Sequence, residues 1–136
     1  SRLEDKHCSV REAALYVLQA QSSLSDELLT AVVARLGGKD RDVRETALYF
    51  LRAQSSLSDE LLTAVVARLE DKDGDAREAA LDVLQAQSSL SNELLTAVVA
   101  RLGDKDRDVR KAASDVLQAQ SSLSDDVLTA LALLLE

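Results

Sequence analysis

Few side chains in this sequence have the types and spacing that chemistry requires. His7 and Cys8 are adjacent, and they are the chain's single histidine and single cysteine. A metal site takes about four ligands, and no second His or Cys exists to complete one. Nothing near His7 would orient it as a base toward a nucleophile. Asp82 and Asp115 stand 33 residues apart and have the type needed for paired carboxylates. Glycoside-cleaving pairs, however, work in a deep site that shifts their pKa values. On an open acidic surface the two are solvated charges. The expectation is no enzyme, no metal and no cofactor.

The elements that hold these residues are copies of one another. The stretch from Leu18 to Leu36 returns almost letter for letter at 51–69 and 84–102, and in altered form at 117–135. A unit copied at a constant interval of 33 residues is a repeat array. The unit boundaries fall at about 2–34, 35–67, 68–100 and 101–136, in one domain spanning 1–136. The opening Ser1 to Lys6 matches the tail of a unit. The sequence therefore begins mid-repeat, as a piece of a longer or a trimmed array would.

Composition says what the units are made of. Hydrophobic residues make up 46% of the 136, yet the aromatics are only Tyr16, Tyr49 and Phe50. The core must be Leu, Val and Ala, a set that favours helices over strands. The net charge of −8, from 24 acidic and 16 basic residues, repels nucleic-acid phosphates and anionic membranes. One cysteine forms no internal disulfide, which points to a reducing compartment. No apolar run approaches the roughly 20 residues of a bilayer span, and no signal peptide is recognisable. A cytoplasmic chain is expected.

Two helices fit each unit. Helix B runs from about Ser9 to Ala20, with Val10, Ala13, Ala14, Val17 and Leu18 in one arc and Glu12, Tyr16 and Gln19 opposite. Ser25 then caps helix A, Asp26 and Glu27 suit its positive end, and Leu24 with Leu29 has the spacing of a hydrophobic staple. The caps recur at Ser58, Ser91 and Ser124. Helix A, about Asp26 to Leu36, predicts an apolar face of Leu28, Leu29, Val32, Val33 and Leu36, with Glu27, Thr30 and Ala34 outward. Gly37 and Gly103 suit a left-handed helix end. Asp40, Asp73 and Asp106 are placed to cap the next helix B, where the first unit has His7. The predicted fold is all-α, an α-solenoid of four helical hairpins with about eight helices. Helices this short need stacking to be stable.

The turn Asp104-Lys-Asp-Arg-Asp-Val-Arg110 followed by Ala112, Ala113 and Leu117 resembles the HEAT repeat and its phycobilisome-lyase-like variant, as do Asp71 to Arg77 and Asp5 to Arg11. That resemblance implies helix A on a convex side and helix B lining a concave one. It also implies a ladder between units, from Asp5, Asp71 and Asp104 with Arg11, Arg44, Arg77 and Arg110, with Gly38 interrupting one rung. The near-identical units also resemble the sensing-end repeats of fungal NOD-like receptors, which function in innate immunity, and a consensus-designed scaffold. Hydroxylases built on such repeats use several His and Glu ligands, absent here. DNA glycosylases of this kind need a basic, aromatic-rich face, also absent.

The copies differ mainly in four columns of helix B. These read Cys8, Arg41, Gly74, Arg107; then Glu12, Glu45, Glu78, Lys111; then Tyr16, Tyr49, Asp82, Asp115; and Gln19, Arg52, Gln85, Gln118. They share one helical face, while the exposed Thr30, Thr63, Thr96 and Thr129 stay constant. With helices about 10 Å apart, the face is a strip of roughly 30 Å. Tyrosines on a rigid surface are favoured anchors. The strip is the expected contact for a partner protein or peptide. A further departure is Leu131 to Leu135, where Leu134 replaces an arginine. That end should be sticky and prone to self-association, so the second expectation is a structural, self-assembling array.

Overall fold

The computed structural model describes Val10, Ala13, Ala14, Val17 and residues 26–54, 57–87 and 90–136. Seven α-helices lie among the described residues in two alternating lengths. The odd-numbered ones are the predicted A helices: α1 (Asp26–Ala34), α3 (Asp59–Ala67), α5 (Asn92–Ala100) and α7 (Asp125–Leu133). The even-numbered ones are B helices: α2 (Arg41–Arg52), α4 (Gly74–Gln85) and α6 (Arg107–Ala119). Val10, Ala13, Ala14 and Val17 are helical as well, within the predicted first helix B. A helices pack on A helices and B helices on B helices, so the chain forms a two-layered all-α stack. Among the described residues no helix is long and apolar enough to cross a membrane.

The starts of the helices follow the caps in the sequence. Ser58, Ser91 and Ser124 accept from the amides of Leu61, Leu94 and Val127, each three residues on. Asp40, Asp73 and Asp106 accept from Asp42, Asp75 and Asp108 at the heads of the B helices. Such caps satisfy amides that the first turn leaves unpaired. Ser25 and His7, the corresponding positions of the first unit, lie outside the described residues.

The helix ends correct the expectation for Gly37 and Gly103. No described glycine has positive φ. Each A helix instead tightens into a 3-10 turn (Arg35–Gly37, Arg68–Glu70 and Arg101–Gly103) and leaves through an extended residue. A 3-10 turn satisfies late carbonyls without a left-handed residue, which is why Glu70 serves where Gly37 and Gly103 stand.

Packing is tightest at the predicted centre. Val32, Val65 and Val98 of the A layer and Ala47, Ala80 and Ala113 of the B layer are fully buried. The alanines remove side-chain bulk where neighbouring B helices approach, and the core continues through Phe50, Leu81, Val83 and Leu84. Three residues of the first unit depart from the expected buried arc. Ala13, Val17 and Leu28 are exposed, because among the described residues nothing packs on that side of them.

The ladder is formed in part. Arg44, Arg77 and Arg110 each fold back onto a carbonyl six residues earlier, on Gly38, Asp71 and Asp104, at 2.7, 2.8 and 2.8 Å. Arg77 then reaches Asp104 of the next unit. Asp71 does not receive Arg44; it lies 3.8 Å from Arg68 and accepts the Asp73 amide. Arg44 takes Asp75 instead, at 3.3 Å. Asp5 and Arg11 lie outside the described residues.

Candidate interaction surface

The helix-B columns come together as one surface. On α2, Arg41, Glu45, Tyr49 and Arg52 are all exposed, and Arg41 Nε donates to Glu45 Oε1 at 3.0 Å. On α6, Arg107, Lys111 and Gln118 are exposed, and Lys111 Nζ pairs with Asp115 at 3.2 Å. Between them α4 carries Gly74, Glu78, Asp82 and Gln85, with no cation among the four. Cys8, Glu12, Tyr16 and Gln19 lie outside the described residues, so the surface rests on the second, third and fourth units.

The acidic residues are not simply solvated, and this corrects the picture of an open strip. Glu78, Asp82 and Asp115 are half-buried, because adjacent B helices crowd the middle of the face. Burial, then the charges of Asp82, Asp108, Asp75 and Asp106, holds the Glu78 carboxyl above its ordinary value. Burial also raises Asp82; Arg52 opposes that, Asp115 adds to it and Lys111 opposes it. A groove of about 430 Å³ opens there. Arg41, Glu45 and Leu48 line one side and Glu78, Ala79 and Asp82 the other, with Arg44, Asp75 and Asp108 near the helix N-termini. A smaller hollow of about 330 Å³ lies over the turns, bordered by Leu69, Asp71, Arg77, Arg101 and Asp104. Among the described residues no group of three or more His, Cys, Asp or Glu could hold a metal ion.

Two features carry meaning that the sequence does not announce. Thr63 and Thr96 of the constant threonine column donate to the carbonyls of Asp59 and Asn92, both at 2.8 Å, so these exposed side chains are engaged by their own helices. Gln87, one of a glutamine column, is buried and accepts the Leu57 amide at 3.2 Å across 30 residues. Its recurrence in every unit was the available signal.

No known protein family matches this chain, and no curated protein does. The fold has a counterpart among solved structures. The chain is similar to the crystal structure of an engineered protein from the Northeast Structural Genomics Consortium, with a TM-score of 0.58 and 20% identity. The match covers 96% of this chain but only 64% of the engineered one, less than two thirds of its length. At that identity the likeness establishes a shared helical architecture.

Proposed function

We propose that this chain is a non-catalytic helical repeat scaffold, a rigid frame that holds the helix-B face as its surface for a partner protein or peptide. The observation that carries this reading is where the units differ. Most buried columns change little through the stack, the inward-folded arginines Arg44 and Arg77 among them, while the changes of charge gather mainly on one face that contains the groove between α2 and α4. A frame that keeps its core constant and varies one surface is suited to recognition without chemistry.

The near-identity of the units, with an engineered protein as a structural neighbour, supports a designed array over the sensing segment of a receptor. The HEAT resemblance fits the same architecture and would place the B face on the concave side. The test is a display library randomised at Arg41, Glu45, Tyr49, Arg52, Gln85, Lys111 and Gln118. Exposed positions tolerate change within about 0.5 kcal/mol, so most members should stay folded and some should bind a chosen protein target. A library that mostly unfolds, or that yields no binder, would reject the reading.

A second reading, a self-assembling structural array, is favoured by a separate observation. Leu128, Leu133, Leu134 and Leu135 are all exposed at the end of the stack.

A further inference from the structure

Two joints between neighbouring B helices are built from the same residue columns and differ in geometry. Arg77 and Asp104 join the third unit to the fourth, and Arg44 and Asp71 hold the same columns one unit earlier. Arg77 meets Asp104 at 2.9 Å, whereas Arg44 passes over Asp71 and takes the exposed Asp75 at 3.3 Å. The Asp104 side chain is accordingly 3% exposed and that of Asp71 21%. Arg101 also donates back to the Leu69 carbonyl at 3.2 Å, and among the described residues Arg68 makes no such bond to Leu36. Leu81 of α4 is fully buried, while Leu48, its column mate on α2, is half-buried and lines the groove. The joint between α4 and α6 is closed, and the joint between α2 and α4 is open.

Gly74 supplies a cause. It is the first residue of α4 and lies against Asp106, the residue that caps α6. A β-carbon at Gly74 would fall inside the van der Waals surface of Asp106 Oδ2 and 3.2 Å from its Cγ. Asp106 is not free to withdraw, because its Oδ1 accepts the Asp108 amide at 2.9 Å as the cap of α6. Only glycine lets the head of one B helix come this near the next. In the same column α2 begins with Arg41, and the cap of α4 is Asp73, whose Oδ1 accepts the Asp75 amide at 2.9 Å. The same approach would drive the β-carbon of Arg41 into the Asp73 carboxylate. At the opposite edge of this joint Gln87 holds the Leu57 amide, so the gap opens toward the helix N-termini, where Arg41, Arg44 and Asp75 line it.

We propose that the residue at the head of a B helix sets the joint to the next unit. Glycine closes the joint, and a residue with a β-carbon holds it open and leaves a groove on the helix-B face. The choice between Arg41 and Gly74 thus decides where this face offers a partner a cleft and where it offers a closed surface. Packed joints of this kind have discrete arrangements and do not deform by degrees, so one atom at the helix head moves several contacts together. Arg44 and Arg77 are the visible consequence, since each takes the carboxylate that its joint brings within reach. The use of the groove in recognition rests on the function proposed above, whereas the setting of the joint does not.

Crystal structures of three variants of the full chain test it, with helical circular dichroism measured alongside. Arg41→Gly should bring Arg44 onto Asp71 in a two-pronged pair, bury Leu48 and erase the groove. Arg41→Ala, which removes the guanidinium and keeps the β-carbon, should leave the joint open with Arg44 on Asp75. Gly74→Ala should break the Arg77–Asp104 pair and open a second groove, between α4 and α6. If Gly74→Ala loses helicity, the two variants of Arg41 decide the matter by themselves. An open joint in Arg41→Gly would overturn the proposal. So would a closed joint in Arg41→Ala, which would place the cause in the guanidinium, or a Gly74→Ala chain that keeps its pair by turning Asp106 aside. Recognition is read separately, with a binder selected against the helix-B face of the parent chain. It should bind Arg41→Gly about tenfold more weakly than Arg41→Ala. Equal binding to a closed and an open joint would remove the groove from the function and leave the control of the joint standing.

Discussion

Arg77 and Asp104 meet across the boundary between the third and fourth units in a two-pronged pair, Nε to Oδ2 at 2.9 Å and Nη2 to Oδ1 at 3.0 Å. Both side chains are almost wholly buried. Arg77 also donates to the carbonyls of Asp71 and Lys72, while Asp104 accepts the Asp106 amide and lies 3.5 Å from Arg101. The pair links the turn of one unit to the next. Burial raises the Asp104 carboxyl, but the Asp106 amide, the bonds and charge of Arg77, and Arg101 together hold it below its ordinary value.

Asp104→Ala should therefore destabilise the chain by about 3–5 kcal/mol, because it strands a buried guanidinium. Asp71→Ala, which removes a looser pair to the half-exposed Arg68, should cost about 1 kcal/mol or less. Urea unfolding of both variants makes the comparison. Equal losses would mean that the ladder geometry carries no special weight.

The pH dependence separates the carboxylates by sign. Asp104 has a depressed folded-state pKa, so its contribution is present above the unfolded value and is lost as pH falls through the folded one. Glu78 and Asp82 have raised values. The native state holds those protons more tightly, so stability declines as pH rises from the ordinary carboxylate range through their folded pKa values. Glu78→Gln and Asp82→Asn should each raise the melting temperature at pH 7. The gain should vanish at about pH 3, below the ordinary pKa of either carboxyl. Melting curves at the two pH values decide it, and a gain that persists in acid would point to packing instead of charge.

Much of this fold was legible because its signals are local. A serine or aspartate ahead of an apolar run needs only its own first turn to act as a cap, and Ser58, Ser91, Ser124, Asp40, Asp73 and Asp106 all do so. What was not legible depends on neighbours. A helical wheel places Leu28 and Leu29 on one apolar face, yet one looks back along the stack and the other forward, which only the adjacent units reveal. The wheel likewise sets Asp82 outside, whereas flanking B helices half-bury it. Arg44 shows the same limit, since a column alone does not say whether it reaches Asp71 or Asp75.

Leu62 and Leu128 occupy the same column with the same side chain, but Leu62 is buried and Leu128 is half exposed. Leu62→Ala should cost about 2–5 kcal/mol through lost burial and a residual cavity. Leu128→Ala should cost about 1 kcal/mol or less, measured by urea unfolding in dilute solution. Closely similar costs would mean that the end of the stack is covered.

Tyr49 and Phe50 are adjacent on α2 and divide structure from recognition. Phe50 is sealed in the core, so Phe50→Ala should cost about 3–5 kcal/mol. Tyr49 is 63% exposed on the helix-B face, so Tyr49→Ala should change stability by about 0.5 kcal/mol or less. Its effect belongs on binding. An aromatic anchor is worth about 2 kcal/mol when a partner covers it, which corresponds to roughly thirtyfold in affinity. Calorimetry on a partner selected against the helix-B face should show that loss for Tyr49→Ala with the melting temperature unchanged. Full affinity in the variant would mean that recognition does not rest on this aromatic anchor.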